Sequence, residues 1–236
     1  MRAWLPREHG LMAWVGLPMA GALGLAPGAL PAAGAVIAGF YSFNAARREA
    51  TGWSALAATL ALSLGALALS RAPAPAPLAC ALGSAAVVAL AAALVFRRTL
   101  PRSPALEVAG ICGLCALGAS LAVVHGAPVD RSATLALMLA AWQVTGLWWV
   151  KGLMAAVLPR RVPWRRGLGV AGALAAAAIA AGCWYGLLAV PAALLLYPVR
   201  MLAHAAPASP REAVRIGMTE LGWSALALTL ALLAAR

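Results

Sequence analysis

Apolar residues in this chain come in runs about as long as a bilayer is thick, and polar residues collect in short islands between them. Stretches of Ala, Leu, Gly and Val are broken at Arg7-Glu8-His9, Arg47-Arg48-Glu49, Arg97-Arg98, Arg160-Arg161 and Arg165-Arg166. About 20 apolar residues cross the ~30 Å hydrocarbon layer as a helix. The pattern predicts nine spans, near 10–26, 28–45, 52–70, 77–96, 104–124, 132–157, 167–186, 188–203 and 213–234. No segment alternates apolar with polar, and the Ala and Leu content favours helix, so strands are not expected. The expected fold class is therefore all-α, a polytopic transmembrane helical bundle. No loop is long enough to fold alone, so 1–236 reads as a single transmembrane domain.

Local features refine the spans. The first two are joined only by Ala26-Pro27-Gly28 and predict a tight hairpin. The eighth carries Pro191 and Pro198, which a membrane helix tolerates when neighbours satisfy the freed carbonyls. Arg71–Pro77 predicts a short, stiff, extended connector. The Ala-rich stretch at 171–181 suits close helix packing. The first 35 residues have a basic start and an apolar run, as a signal peptide does. Glu8, His9 and Pro18 interrupt that pattern, and the segment reads as an uncleaved first helix.

Charge orients the spans. With the N-terminus in the cytoplasm, the inner side carries Arg2, Arg7, Arg47, Arg48, Arg97, Arg98, Arg102, Lys151, Arg160, Arg161, Arg165, Arg166, Arg200, Arg211 and Arg215. The outer side carries only Arg71, Arg131 and Arg236. Basic residues in short loops stay on the cytoplasmic side. One misassigned hairpin would mix the two sets, so their separation predicts N-in, C-out topology as a multi-pass protein of the bacterial cytoplasmic (inner) membrane. The net charge of +12 then reflects loops beside anionic lipids and calls for no nucleic-acid partner. Zinc-finger spacing and RNA-recognition signatures are both missing from the chain.

The familiar catalytic patterns are also missing: no phosphate-loop signature, no H-E-x-x-H, no G-x-S-x-G. Cys112-Gly-Leu-Cys115 is a C-x-x-C within the fifth span. It has no second pair or nearby His to complete a metal site, and reads as packing, as do Cys80 and Cys183. No metal site and no cofactor are expected.

Polar residues at or inside the span ends are more informative. Glu8 and His9 open span one, where the helix dipole favours negative charge, and Pro18 predicts a kink about two turns deeper. His9 reads either as an interfacial side chain bonded to a loop or as a proton carrier or ligand contact. Glu107 opens span five, near Ser103 as a possible cap. Lys151, in Trp148-Trp149-Val150-Lys151-Gly152, lies about two turns inside the end of span six. A charged Lys deep in the bilayer costs about 2.5–3.5 kcal/mol unless it snorkels or pairs. Glu220 lies about 12 Å along the helix from Glu212. It needs a cation there, or it stays protonated. Lys151 and Glu220 are expected partners. Arg215, Thr219 and Gly222 share a helix face with Glu220 adjacent, and Arg200 ends span eight. His9, Glu107, Lys151, Arg200, Arg215 and Glu220 thus fall in the cytoplasmic half, while His125 and Asp130 belong to the other side. Two readings stay open: a polar pocket open to the cytoplasm, or structural ion pairs between helices.

At these residues the chain resembles the YwiC-like family of bacterial membrane proteins. The likeness rests on Pro6-Arg7-Glu8-His9-Gly10 with Pro18, similar to that family's P-[KR]-[EQ]-H-G opening, then Glu107, Trp149-Val150-Lys151, and Arg215-Ile-Gly-Met-Thr-Glu220. It spans essentially the whole chain and implies an integral membrane protein without an established molecular function. A weaker resemblance is architectural: nine N-in spans look like UbiA-type prenyltransferases. Those carry Asp-rich motifs after spans two and six. Here the positions read Asn44-Ala-Ala-Arg47-Arg48-Glu49 and Arg160-Arg161-Val-Pro-Trp-Arg165-Arg166. Magnesium held between protein and diphosphate needs carboxylates. The Arg clusters Arg47, Arg48, Arg160, Arg161, Arg165 and Arg166 instead suit direct attraction of an anion.

Three functions follow as expectations. The first is binding or transport of a small anion or anionic lipid in a cytoplasm-facing pocket. The second is a membrane-embedded lipid or prenyl transferase using Glu220 or His9 as acid-base groups. The third is a structural or assembly role in a respiratory complex. The lipid bilayer is the one partner that all three share.

Overall fold

The computed structural model describes residues 9–46, 51–71, 104–154, 164–184, 186, 194 and 210–234, some of them by backbone alone. Seven α-helices account for nearly all of them: α1 His9–Leu25, α2 Leu30–Ala46, α3 Thr51–Arg71, α4 Pro104–Val124, α5 Val129–Met154, α6 Trp164–Trp184 and α7 Pro210–Ala234. A 3-10 turn, Pro27–Ala29, links α1 to α2. There is no strand among the described residues. Each helix covers one of the expected apolar segments to within about three residues. The segments at 77–96 and 188–203 lie outside the described residues, apart from helical Leu194, as does the connector from Ala72 to Pro77.

One described helix is long and apolar enough to cross a membrane, over Glu107–Val124, with mean hydropathy 2.0. Shorter apolar stretches occur at Val15–Leu25, Ser54–Gly65, Ala175–Trp184 and Met218–Leu233.

Helix ends follow local chemistry. Pro27 cannot donate to α1 and disfavours helix in the residue before it, so α1 stops at Leu25. Pro104 and Pro210 open α4 and α7, where a missing N–H costs nothing. Beyond α4, Gly126 takes φ 94°. The Gly126 N–H donates to the Val123 carbonyl at 3.0 Å and the Ala127 N–H to the Ala122 carbonyl at 2.9 Å. That pair of bonds, with glycine in the left-handed region, is a Schellman cap. It turns the chain sharply into α5 and makes α4 and α5 an antiparallel hairpin.

Helix α1 is central, packed against α2, α4, α5 and α7. Its approach to α4 is close because position 118 has no side chain. A Cβ on Gly118 would lie 2.6 Å from the Pro18 carbonyl oxygen. Gly21 faces Leu135 and Leu139 of α5 and Leu228 of α7, and Gly24 faces Leu232. The main core joins Leu17, Ile111, Leu135, Met138, Leu139, Trp142 and Leu228 across these helices. Cys115 lies in that core and Cys112 packs against it. Cys183 departs from the packing expectation: it is exposed near the end of α6, beside the outward Trp184.

Helix α3 packs on α2. The Ser42 hydroxyl donates to the Ser54 carbonyl at 2.8 Å, and the Ser54 hydroxyl donates to the Ser42 carbonyl at 3.0 Å. The pair clasps the hairpin near its closed end, beside the connection at 47–50.

Candidate polar layer in the helix bundle

The polar residues that penetrate the bundle come from α4, α5 and α7. Glu107, in the first turn of α4, is 9% exposed, and Glu220 of α7 is 8% exposed. Neither residue is without a partner. Ser132, Thr134, Gln143 and Thr145 of α5 and Ser224 of α7 are buried as well.

One bonded chain ties α5 to α7. The Trp142 indole N–H donates to the Ser224 hydroxyl at 2.7 Å, and that hydroxyl donates to the Glu220 carbonyl at 2.8 Å. Trp142 is 1% exposed, so the indole is fully desolvated and its donor is met inside the protein. This contact fixes the register of two antiparallel helices. Glu220 lies one turn from Ser224 on the same side of α7, so it comes level with about position 146 of α5, a buried glycine. In the α4–α5 hairpin, Glu107 falls at nearly the same height. The two acids thus converge on one layer from different helices.

The remaining α5 hydroxyls are bonded locally. Thr134 donates to the Asp130 carbonyl, Ser132 to that of Pro128 and Thr145 to that of Ala141. Gln143 is different: neither its amide nitrogen nor its amide oxygen has a hydrogen-bond partner. The buried indole nitrogen of Trp149, two turns further along α5 from Trp142, also lacks one.

Of the expected site residues, Glu107 and Glu220 are the two brought into this layer. Arg215 stands on the exposed side of α7 with Thr219 and Gly222. Glu220 is five positions on, about 140° around the helix at 100° per residue, and faces inward. Lys151 is described by backbone alone. His9 begins α1, and Arg165 and Arg166 begin α6, with their side chains outside the described set. Arg47, Arg48, Arg160, Arg161 and Arg200 lie outside the described residues. His125 is at the far end, near Gly28 in the α1–α2 turn, apart from the layer.

Comparison of the chain with family models, with curated proteins and with solved structures gave no match. The polar layer must be read from its own chemistry. Gln143, Trp142 and Ser224 played no part in the sequence reading. The signal of Trp142 and Gln143 was present in Ala-Ala-Trp142-Gln143-Val-Thr145-Gly, a polar cluster in an otherwise apolar run.

Proposed function

We propose that this chain is a multi-pass protein of the bacterial cytoplasmic membrane. In this reading it has nine spans, N-in and C-out, and binds or transports a small anion or an anionic lipid headgroup in a pocket opening to the cytoplasm. The observation that carries the reading is an inverted distribution of polarity. Glu107, Glu220, Gln143, Thr134 and Ser224 are buried, while Leu56, Leu60, Leu62, Trp184, Leu230 and Leu233 face outward. Water would drive the opposite arrangement, since each large apolar side chain left exposed forgoes about 1.5–3 kcal/mol. Lipid removes that penalty and makes a buried polar group the exception that needs a purpose.

Charge supports the nature of the ligand. Arg47, Arg48, Arg160, Arg161, Arg165 and Arg166 cluster near the helix ends on the side of Glu107 and Glu220 in this topology. Such clusters raise the local concentration of anions. The YwiC-like resemblance agrees with an integral membrane protein and adds no activity.

The test is equilibrium binding to the purified full chain, in EDTA, of inorganic phosphate, sulfate, phosphatidate and phosphatidylglycerol. At least one should bind without a metal and weaken as salt rises, because exposed charges are screened over about 8–10 Å at physiological ionic strength. Absence of binding across all four contradicts the reading.

A further inference from the structure

We infer that the seam between α2 and α3 holds one acyl chain of an anionic phospholipid from the cytoplasmic leaflet. This rests on the membrane reading above and its N-in orientation, and it is independent of the polar layer. Along the seam runs an apolar groove of about 410 Å³. Small residues, Gly34, Ala38, Ala45 and Ala57, make its floor, and Ile37, Leu56 and Leu60 make its walls. The α2 members recur at i, i+3, i+4 and i+11, which is one face of a helix. Ala38 is buried, whereas Leu56 and Leu60 are 62% and 52% exposed, so the rim is open to the surroundings. In the bundle, by contrast, the void beside Pro18 and Gly118 is about 10 Å³, room for no more than a single water.

The length of the groove matches one leaflet. Gly34 and Ala45 are eleven residues apart, about 16 Å at 1.5 Å per residue. That is half the ~30 Å hydrocarbon layer. At one end α3 closes the groove, since a Cβ on Gly34 would lie 2.9 Å from the Leu64 side chain. The other end is Ala45, in the last turn of α2, which is the cytoplasmic end in the N-in topology. Shape selects the occupant. A helix is about 10–12 Å across with its side chains. It would ride on Leu56 and Leu60 and leave the floor of small residues bare. A bare strip forfeits its dispersion contacts on one side. A single hydrocarbon chain is narrow enough to reach the floor.

Charge selects the headgroup. Arg47 and Arg48 follow α2 directly, and Glu49 comes next. They lie outside the described residues, but the chain itself limits their distance. Arg47 is two residues past Ala45, so the two Cα atoms are no more than about 7 Å apart. Two arginines against one glutamate leave a net positive charge beside the inner end of the groove. One basic charge at the membrane surface favours an anionic lipid by roughly fivefold. Position 53, a Trp in the first turn of α3, falls at the same level, where interfacial aromatics collect. Helix α3 packs on α2. A lipid chain in the seam gives its leucines a second apolar surface to bury against.

The test places the full chain in nanodiscs of mixed phosphatidylglycerol and phosphatidylcholine. Each lipid in turn carries a diazirine in one acyl chain, and mass spectrometry maps the crosslinks. At equal fractions, phosphatidylglycerol should label the groove about fivefold more than phosphatidylcholine. The outward face of α7 at Leu226, Leu230 and Leu233 reports passing lipid and should label equally with both. Ala45→Leu with Ala57→Leu fills the groove from two half-buried positions. It should remove most of the groove label and leave the α7 label unchanged. Either substitution alone repeats the test if the double variant fails to fold. Arg47→Gln with Arg48→Gln should level the two lipids while the groove stays labelled. Equal labelling of the groove by both lipids in the wild type, or a groove label that survives filling, overturns the inference. A silent groove beside a labelled α7 also overturns it, and assigns the seam to a second copy or to residues 72–103. Each of these results leaves the membrane reading standing. Absence of label anywhere on the chain removes the membrane reading along with the inference.

Discussion

The α2–α3 hairpin and the bundle of α1, α4, α5 and α7 solve the same problem differently. Both are built almost wholly from apolar residues. In the hairpin, polar groups are few and pay each other back, as Ser42 and Ser54 do by exchanging bonds across the two helices. Around them Gly34, Ile37, Leu56, Leu60 and Leu64 line an apolar groove of about 410 Å³. In the bundle, polar side chains lie deeper and one of them, Gln143, is left unmet. The hairpin is thus organised by self-satisfied packing, whereas the bundle keeps polarity inside at a cost. That contrast is what one expects of a structural element beside a site.

Glycine substitutions should separate the two regions most sharply. Gly118→Ala would drive a Cβ to 2.6 Å from the Pro18 carbonyl, and a backbone atom cannot swing aside. We expect a loss of about 1–3 kcal/mol, typical of overpacking. Gly65→Ala in α3 meets nothing within 4 Å. It should gain about 0.5–1 kcal/mol from lower chain entropy. Thermal unfolding of both in detergent checks the signs. A neutral Gly118→Ala would mean that α1 and α4 are not held at this distance.

Hydrogen-bond deletions should give a smaller contrast. Trp142→Phe removes the donor to Ser224 from a fully buried position and should cost about 1–3 kcal/mol. Ser42→Ala breaks one of two bonds in a half-buried clasp and should cost about 0.5–1.5 kcal/mol. Comparable losses would erase the distinction between bundle and hairpin.

The smallest effect should be the coupling of Lys151 to Glu220. A double-mutant cycle with Lys151→Ala and Glu220→Gln reads it: the expected pair gives a coupling above about 0.5 kcal/mol, and a strictly additive cycle argues against direct pairing.

Helix positions were legible in the sequence because run length and breaker residues carry that information. Pro27, Pro104, Pro210 and Gly126 mark ends that the structure respects. Azimuth was not legible. A helix that is apolar all round has no polar stripe to say which side meets a neighbour. Glu107 and Glu220 were found because charge stands out against Ala and Leu. The exposure of Arg215 was not legible, because i, i+4, i+7 spacing defines a face without saying what covers it. Gln143 was passed over because it carries no charge, although an uncharged amide in an apolar run faces the same accounting as an acid.

On chemistry, no magnesium-dependent prenyl transfer is expected, because Ala and Arg occupy the places where that reaction needs Asp. Purified chain given prenyl diphosphates, common acceptors and magnesium should form no product, and turnover that EDTA abolishes would revive the transferase reading.

The central claim is that lipid surrounds this chain and that its polar layer opens to the cytoplasm. Side-specific cysteine labelling tests it most directly. In a chain freed of its native cysteines, Pro128→Cys marks the turn between α4 and α5, and Arg161→Cys marks the segment between α5 and α6. The account predicts that an impermeant reagent labels position 128 from outside intact cells and position 161 only from the cytoplasmic face of inverted vesicles. Labelling of both positions from the same side would contradict it.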